Sequence, residues 1–116
     1  MCGICGQLRF DGEIVSTKSL DDMMSKLAKR GPDSKGKWFE GKVGFGHQRL
    51  SIIDLSNLGS QPMVDDLLKL TLVFNGTIYN YKALRAQLIT KGYVFFSNSD
   101  TEVIIKAYHF WGEDCV

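Results

Sequence analysis

Proline is scarce in this chain, with two residues in 116, and histidine is equally rare. Long apolar runs are missing. No stretch approaches the roughly 18 residues of a membrane-spanning helix. An excess of either charge is missing too: 14 Lys and Arg stand against 13 Asp and Glu, for a net +1. A near-neutral chain with scattered basic residues offers no electrostatic case for nucleic acid or an anionic membrane. The N-terminus has no charged region followed by an apolar stretch, the mark of a signal peptide. Three cysteines are an odd and small number, which argues against a secreted disulfide framework and for a cytoplasmic protein. Internal repeats and low-complexity segments are absent. What is present is an ordinary globular balance, 44% hydrophobic and 23% charged, at a length that suits one domain.

Against that background stands Met1-Cys2-Gly3-Ile4. The small side chain at position 2 favours removal of Met1, which would leave a thiol and a free α-amine on one residue. Such an amine titrates at about 7.7–8.0, so part of it is a neutral base at physiological pH. It can take the proton of its own residue's thiol, and the thiolate is the attacking species. Cys2 is therefore a candidate nucleophile; the alternative is an ordinary buried cysteine near a terminus. The Cys2-Gly-Ile-Cys5 spacing also fits a dithiol or zinc site, but Ile4, Leu8 and Phe10 alternate with Cys5, Gln7 and Arg9, a strand pattern. Residues three apart on a strand point to opposite faces, so Cys2 and Cys5 should neither bridge nor share a metal. No metal site is expected.

The spacing of Leu20, Met23, Met24, Leu27 and Ala28 predicts a helix capped by Ser19 and stopped at Arg30-Gly-Pro-Asp33. As structure alone that tetrapeptide is a turn. Residues 37–40 and 43–50 read as two strands around Gly41. Gly44 and Gly46 inside the second imply close approach of another segment or a ligand. Arg49, at the end of that strand, wants a carboxylate or phosphate for its planar fork. A substrate carboxylate and a structural ion pair fit equally well. His47 suggests a couple with Cys2, although a packed structural histidine is the more common case.

Residues 69–74 read as a strand running into Asn75-Gly76, a strong turn signal. Beyond a hairpin turn, an Asn amide and a Gly N–H at a strand end can aim at one point, as an oxyanion hole requires. Residues 81–91 predict a helix with Tyr81, Leu84 and Leu88 on one stripe, and 94–96 a short strand. Ser99-Asp-Thr-Glu102 is a capping-box signature. It precedes a helix with Val103, Ile104, Ala107, Tyr108 and Trp111 on its apolar face. Asp100 is either a cap-region charge or a carboxylate offered to a ligand ammonium.

Six segments then line up in order: Met1-Cys-Gly-Ile4, Arg30-Gly-Pro-Asp33, Gly46-His-Gln-Arg-Leu-Ser-Ile-Ile-Asp54, Gln61-Pro-Met63, Phe74-Asn-Gly-Thr-Ile-Tyr-Asn80 and Ser99-Asp-Thr-Glu102. Together they resemble the class II glutamine amidotransferases, over nearly the whole chain. Within that family the chain is most similar to the N-terminal glutaminase domain of glutamine-hydrolysing asparagine synthetases. The resemblance implies an α+β fold, the four-layer αββα sandwich of the N-terminal nucleophile hydrolases. It implies hydrolysis of L-glutamine to glutamate and ammonia for an asparagine synthetase-like amidation. Cys2 would attack the side-chain amide with its α-amine as base. Asn75 and the Gly76 N–H would hold the oxyanion. Arg49 would bind the α-carboxylate and Asp100 the α-ammonium, with Ile52 and Ile53 lining the pocket.

Two departures from the family pattern shape the expectations. Thr77 stands where the family has a glutamate that helps hold the substrate ammonium. A lost charge-assisted hydrogen bond costs roughly 1.5–3 kcal/mol, about 10- to 100-fold in affinity. The pattern of the family also continues past residue 116, so residues 1–116 read as the N-terminal part of a glutaminase domain, an incomplete sandwich without the synthetase domain. No cofactor is expected in this part, because ATP and Mg would belong to the synthetase domain. A bared apolar face and an open sheet edge favour a homo-oligomer or cover by the C-terminal half of the parent protein. The alternative function is a catalytically inactive glutamine-binding or regulatory fragment.

Overall fold

The computed structural model describes residues 2–115. Removal of Met1, expected above, falls outside them. The chain divides into two units, each mixing helix and sheet, an α+β fold with two small sheets and three α-helices among the described residues.

The first unit takes residues 2–51, 60–62 and 73–75. Its three-stranded antiparallel sheet has β1 (Gly3–Leu8), β2 (Ser34–Glu40) and β3 (Val43–Arg49) in the order β1-β3-β2. The register sets Ile4 opposite His47 and Cys5 opposite Gly46, with Trp38 opposite Phe45 on the other side. β2 starts three residues earlier than the sequence pattern predicts. Its pairing with β3 runs from Ser34 opposite Arg49 to Glu40 opposite Val43, so the ladder decides its length and the hydrophobic alternation does not.

α1 (Thr17–Leu27) covers one sheet face and buries Leu20 and Met24. It begins three residues earlier than the expected Ser19 cap implies. Ser16 stands at the N-cap in extended conformation, and its carbonyl accepts from the Leu20 N–H, closing the first turn. The glycines of β3 permit this packing. A Cβ on Gly46 would lie 2.8 Å from Met24 and 2.7 Å from the Cys5 sulfur; one on Gly44 would lie 2.8 Å from Leu20. The close approach expected from these glycines is thus made by a helix. Cys5 faces α1, so Ile4 and Leu8 lie on the opposite face, where they are 43% and 54% exposed. Phe45 and Trp38 stack on that same face, ring centroids 5.7 Å apart.

The second unit takes residues 52–59, 63–72 and 76–115. β4 (Met63–Asp65) pairs antiparallel with β5 (Leu70–Leu72). The strand expected over 69–74 is therefore shorter, because Lys69 turns at φ 56 and residues 73–75 belong to the first unit. Asn75-Gly76 is not a hairpin turn: among the described residues no strand follows it, and the chain runs on to a helix.

α2 (Tyr81–Thr90) and α3 (Asp100–Trp111) enclose a core of Leu88, Val103 and Ala107, with Tyr81, Leu84 and Trp111 packed against it. Ile105 is buried as well, while Tyr108 is 46% exposed, so the buried face of α3 is turned from the one expected. The strand expected over 94–96 does not form. The donor at its end goes elsewhere: the Glu102 carboxylate accepts from the Phe96 N–H at 2.9 Å and from the Ser97 N–H that follows at 2.7 Å. The same contacts alter the predicted capping box. Ser99 caps, its hydroxyl accepting from the Thr101 N–H at 3.1 Å, but Glu102 reaches the loop before Ser99.

Candidate active site

In the first unit, the sheet presents Cys2 and Arg49 at one end. Cys2 lies just before β1, and its sulfur sits between both backbone groups of Leu50. The Leu50 N–H donates to Sγ at 3.2 Å, and Sγ lies 3.5 Å from the Leu50 carbonyl oxygen. The Arg30 Nε donates to the Cys2 carbonyl at 3.3 Å. Sulfur and carbonyl are thereby both held, which fixes the side chain's direction. Cys2, Cys5 and Cys115 are all free. Burial pushes the Cys5 thiol up, opposed by a hydrogen bond from the Gly46 backbone. Cys5 is a packing residue under α1.

Arg49 closes β3 and is 7% exposed. In the chain it precedes Leu50, whose N–H holds the sulfur, so the same strand end carries a buried arginine and the donor to the thiol. Asn75 belongs to the same unit. The segment before it is tied down by the Phe74 N–H, which donates to Gln61 Oε1 at 2.6 Å.

His47 is fully buried and neither ring nitrogen has a hydrogen-bond partner, so it makes no couple with Cys2. Burial pulls its pKa below the ordinary 6.5; the nearby Phe74 backbone opposes this and the Arg49 charge adds to it. A neutral imidazole follows.

In the second unit, Asp100 is the first residue of α3 and is 5% exposed. Its Oδ2 accepts from the Ile78 N–H at 2.9 Å and so fixes the segment that carries Gly76 and Thr77. Both of those residues are exposed. Ile52 is 71% exposed and Ile53 half-buried. Their loop is anchored by Asp54, which accepts from the Ser56 N–H at 2.8 Å and from the Asn98 N–H at 3.0 Å. Arg85 steadies the same region, donating to the Ser97 carbonyl at 2.7 Å with its guanidinium 4.2 Å from the Phe95 ring. Among the described residues no group of three or more His, Cys, Asp or Glu could hold a metal ion. No described helix is long and apolar enough to cross a membrane.

The sequence pattern singled out Cys2, Arg49, Asn75 and Asp100, but not Leu50. Leu50 acts through its main chain, and a backbone donor carries no signature in the residue type.

The family model of the glutamine amidotransferase domain matches residues 1–116. The chain is a member of that family. Among its relatives, asparagine synthetase [glutamine-hydrolyzing] 3 of Bacillus subtilis (strain 168) is 42% identical over 119 residues, covering all of this chain and 19% of the relative. Asparagine synthetase [glutamine-hydrolyzing] 1 of the same organism is 39% identical, over 98% of this chain and 18% of the relative. Amidase chry2 of Gibberella zeae is 38% identical, over 97% of this chain and 18% of that protein. The chain thus spans about a fifth of the length of these relatives.

Proposed function

We propose that these residues hydrolyse L-glutamine to glutamate and ammonia, and that the ammonia serves an asparagine synthetase-like amidation. The carrying observation is the Cys2 sulfur held by the Leu50 N–H at the strand end that also carries the buried Arg49. In this reading the Cys2 thiolate forms a bond to the side-chain amide carbon of glutamine. The α-amine of Cys2, free once Met1 is removed, takes the thiol proton. The Asn75 amide and the Gly76 N–H receive the negative charge on the amide oxygen. The C–N bond then breaks, and the leaving nitrogen takes the proton from the Cys2 ammonium and departs as ammonia. Water attacks the thioester, releases glutamate and restores the thiol.

Arg49 suits the α-carboxylate, because a guanidinium fork binds both oxygens. Asp100 suits the α-ammonium, and Ile52 and Ile53 suit the pocket lining. Thr77 offers no charge to the ammonium, so glutamine binds more weakly than to a glutamate-bearing relative. The roles of all eight residues belong to this proposal. So does the assignment of 1–116 as the N-terminal part of a four-layer αββα glutaminase domain. The open Ile4 and Leu8 face supports it, since further strands of such a sandwich, or a second copy, would cover that face. A 116-residue protein that sediments as a compact monomer would contradict that last assignment. For the reaction itself the experiment is ammonia release from glutamine by the processed protein. It is expected for the native sequence and absent in Cys2→Ala; equal release by both overturns the proposal.

A further inference from the structure

Residues 30–33 read from the sequence as a turn, yet they approach the nucleophile by several independent contacts. Gly31 lies directly against β3. A Cβ there would fall 2.2 Å from the Gln48 carbonyl oxygen and 2.6 Å from the Arg49 nitrogen, so no side chain fits. The Asp33 N–H donates to the Arg49 carbonyl at 3.0 Å. The Asp33 carboxylate then accepts from the Ser51 N–H, with Oδ2 at 2.7 Å. Leu50 stands between these two anchored residues, and its own N–H is the donor on the Cys2 sulfur. Arg30, from the same four residues, holds the Cys2 carbonyl.

We infer that Asp33 is a positioning residue for the reaction at Cys2: by fixing Ser51 and Arg49 it sets the Leu50 N–H on the sulfur. The inference rests on Cys2 being the nucleophile proposed above. Asp33 has no contact with the sulfur and acts only through the main chain of 49–51. A hydrogen bond to sulfur strengthens as sulfur gains charge, so its alignment affects the reacting thiolate more than the resting fold. Asp33 is exposed, and a single exposed polar contact adds little to global stability. Its removal should therefore move chemistry at Cys2 and leave the fold in place.

The experiment compares native, Asp33→Ala and Asp33→Asn forms of the intact protein. It measures kcat and KM for glutamine, and separately the rate at which iodoacetamide modifies Cys2, read by peptide mass with Cys5 as internal reference. Asp33→Ala should lower kcat and Cys2 modification about three- to tenfold, with KM changed less than about twofold, as expected for one lost contact to a charged group. Asp33→Asn keeps an acceptor oxygen and should recover most of both rates. Unchanged Cys2 modification in Asp33→Ala overturns the inference. So does an equal loss in both variants accompanied by faster modification of Cys5, which reports general loosening. If the native protein hydrolyses no glutamine, the function proposed above fails, and the modification series alone then decides the role of Asp33.

Discussion

Lys106 and Asp65 form an ion pair at 2.6 Å with both side chains almost fully buried, 5% and 6% exposed. Glu102 joins it at 3.2 Å and is 0% exposed. Lys106 thus links α3 to β4, and through Glu102 to the loop over 96–97. Burial pushes Asp65 up, but the hydrogen bond from Lys106 and the Leu68 N–H outweigh it and hold the carboxyl below its ordinary value of 3.8. The stability this supplies is present above pH 3.8 and is lost as the pH falls toward the lowered folded value.

Removing one partner of such a pair leaves a buried charge without compensation. Lys106→Met is therefore expected to cost about 3–5 kcal/mol of stability. Chemical denaturation checks this, and a second substitution, Asp65→Leu, should restore part of the loss. Full stability in the single variant would contradict the assignment.

His47 gives a second pH dependence of opposite origin. Its folded pKa lies below 6.5, so the unfolded chain takes up a proton first as the pH falls. Stability should then decline as the pH drops below 6.5, down to the lowered folded value. Melting curves at pH 7 and pH 5 measure the decline. His47→Leu should remove the histidine's share, and an unaltered pH difference in that variant would mean that His47 is not held neutral.

In the proposed reaction Thr77 offers no charge to the substrate ammonium. Thr77→Glu returns a carboxylate to an exposed position just after Gly76. It should lower KM for glutamine by about tenfold, the value of one charge-assisted hydrogen bond partly screened by solvent. Steady-state kinetics decide this, and an unchanged KM would remove Thr77 from the list of substrate-contacting residues.

Much of this was legible in residue types. Cys2 was visible from its place in the chain, Arg49 from a cation at a strand end, and Ser99 as a helix cap. The absence of a strand over 94–96 is not, because Val94, Phe95 and Phe96 are strand-forming types while the Glu102 side chain takes the Phe96 and Ser97 N–H groups. A capping box and a loop clamp use the same glutamate, and spacing alone does not separate them. β2 exceeds its sequence pattern because Ser34-Lys-Gly-Lys lacks an apolar alternation, although its main chain pairs throughout. The contacts that hold the Cys2 sulfur are backbone groups of Leu50, which no side-chain pattern encodes.

The most direct measurement of the central claim is the intact mass of the protein before and after treatment with a glutamine-like chloroketone. The first spectrum reports whether Met1 has been removed. The account predicts a processed chain that gains one adduct, blocked by glutamine and lost in Cys2→Ala. Labelling with Met1 still attached would contradict the α-amine mechanism, and a processed chain left unlabelled would contradict Cys2 as its nucleophile.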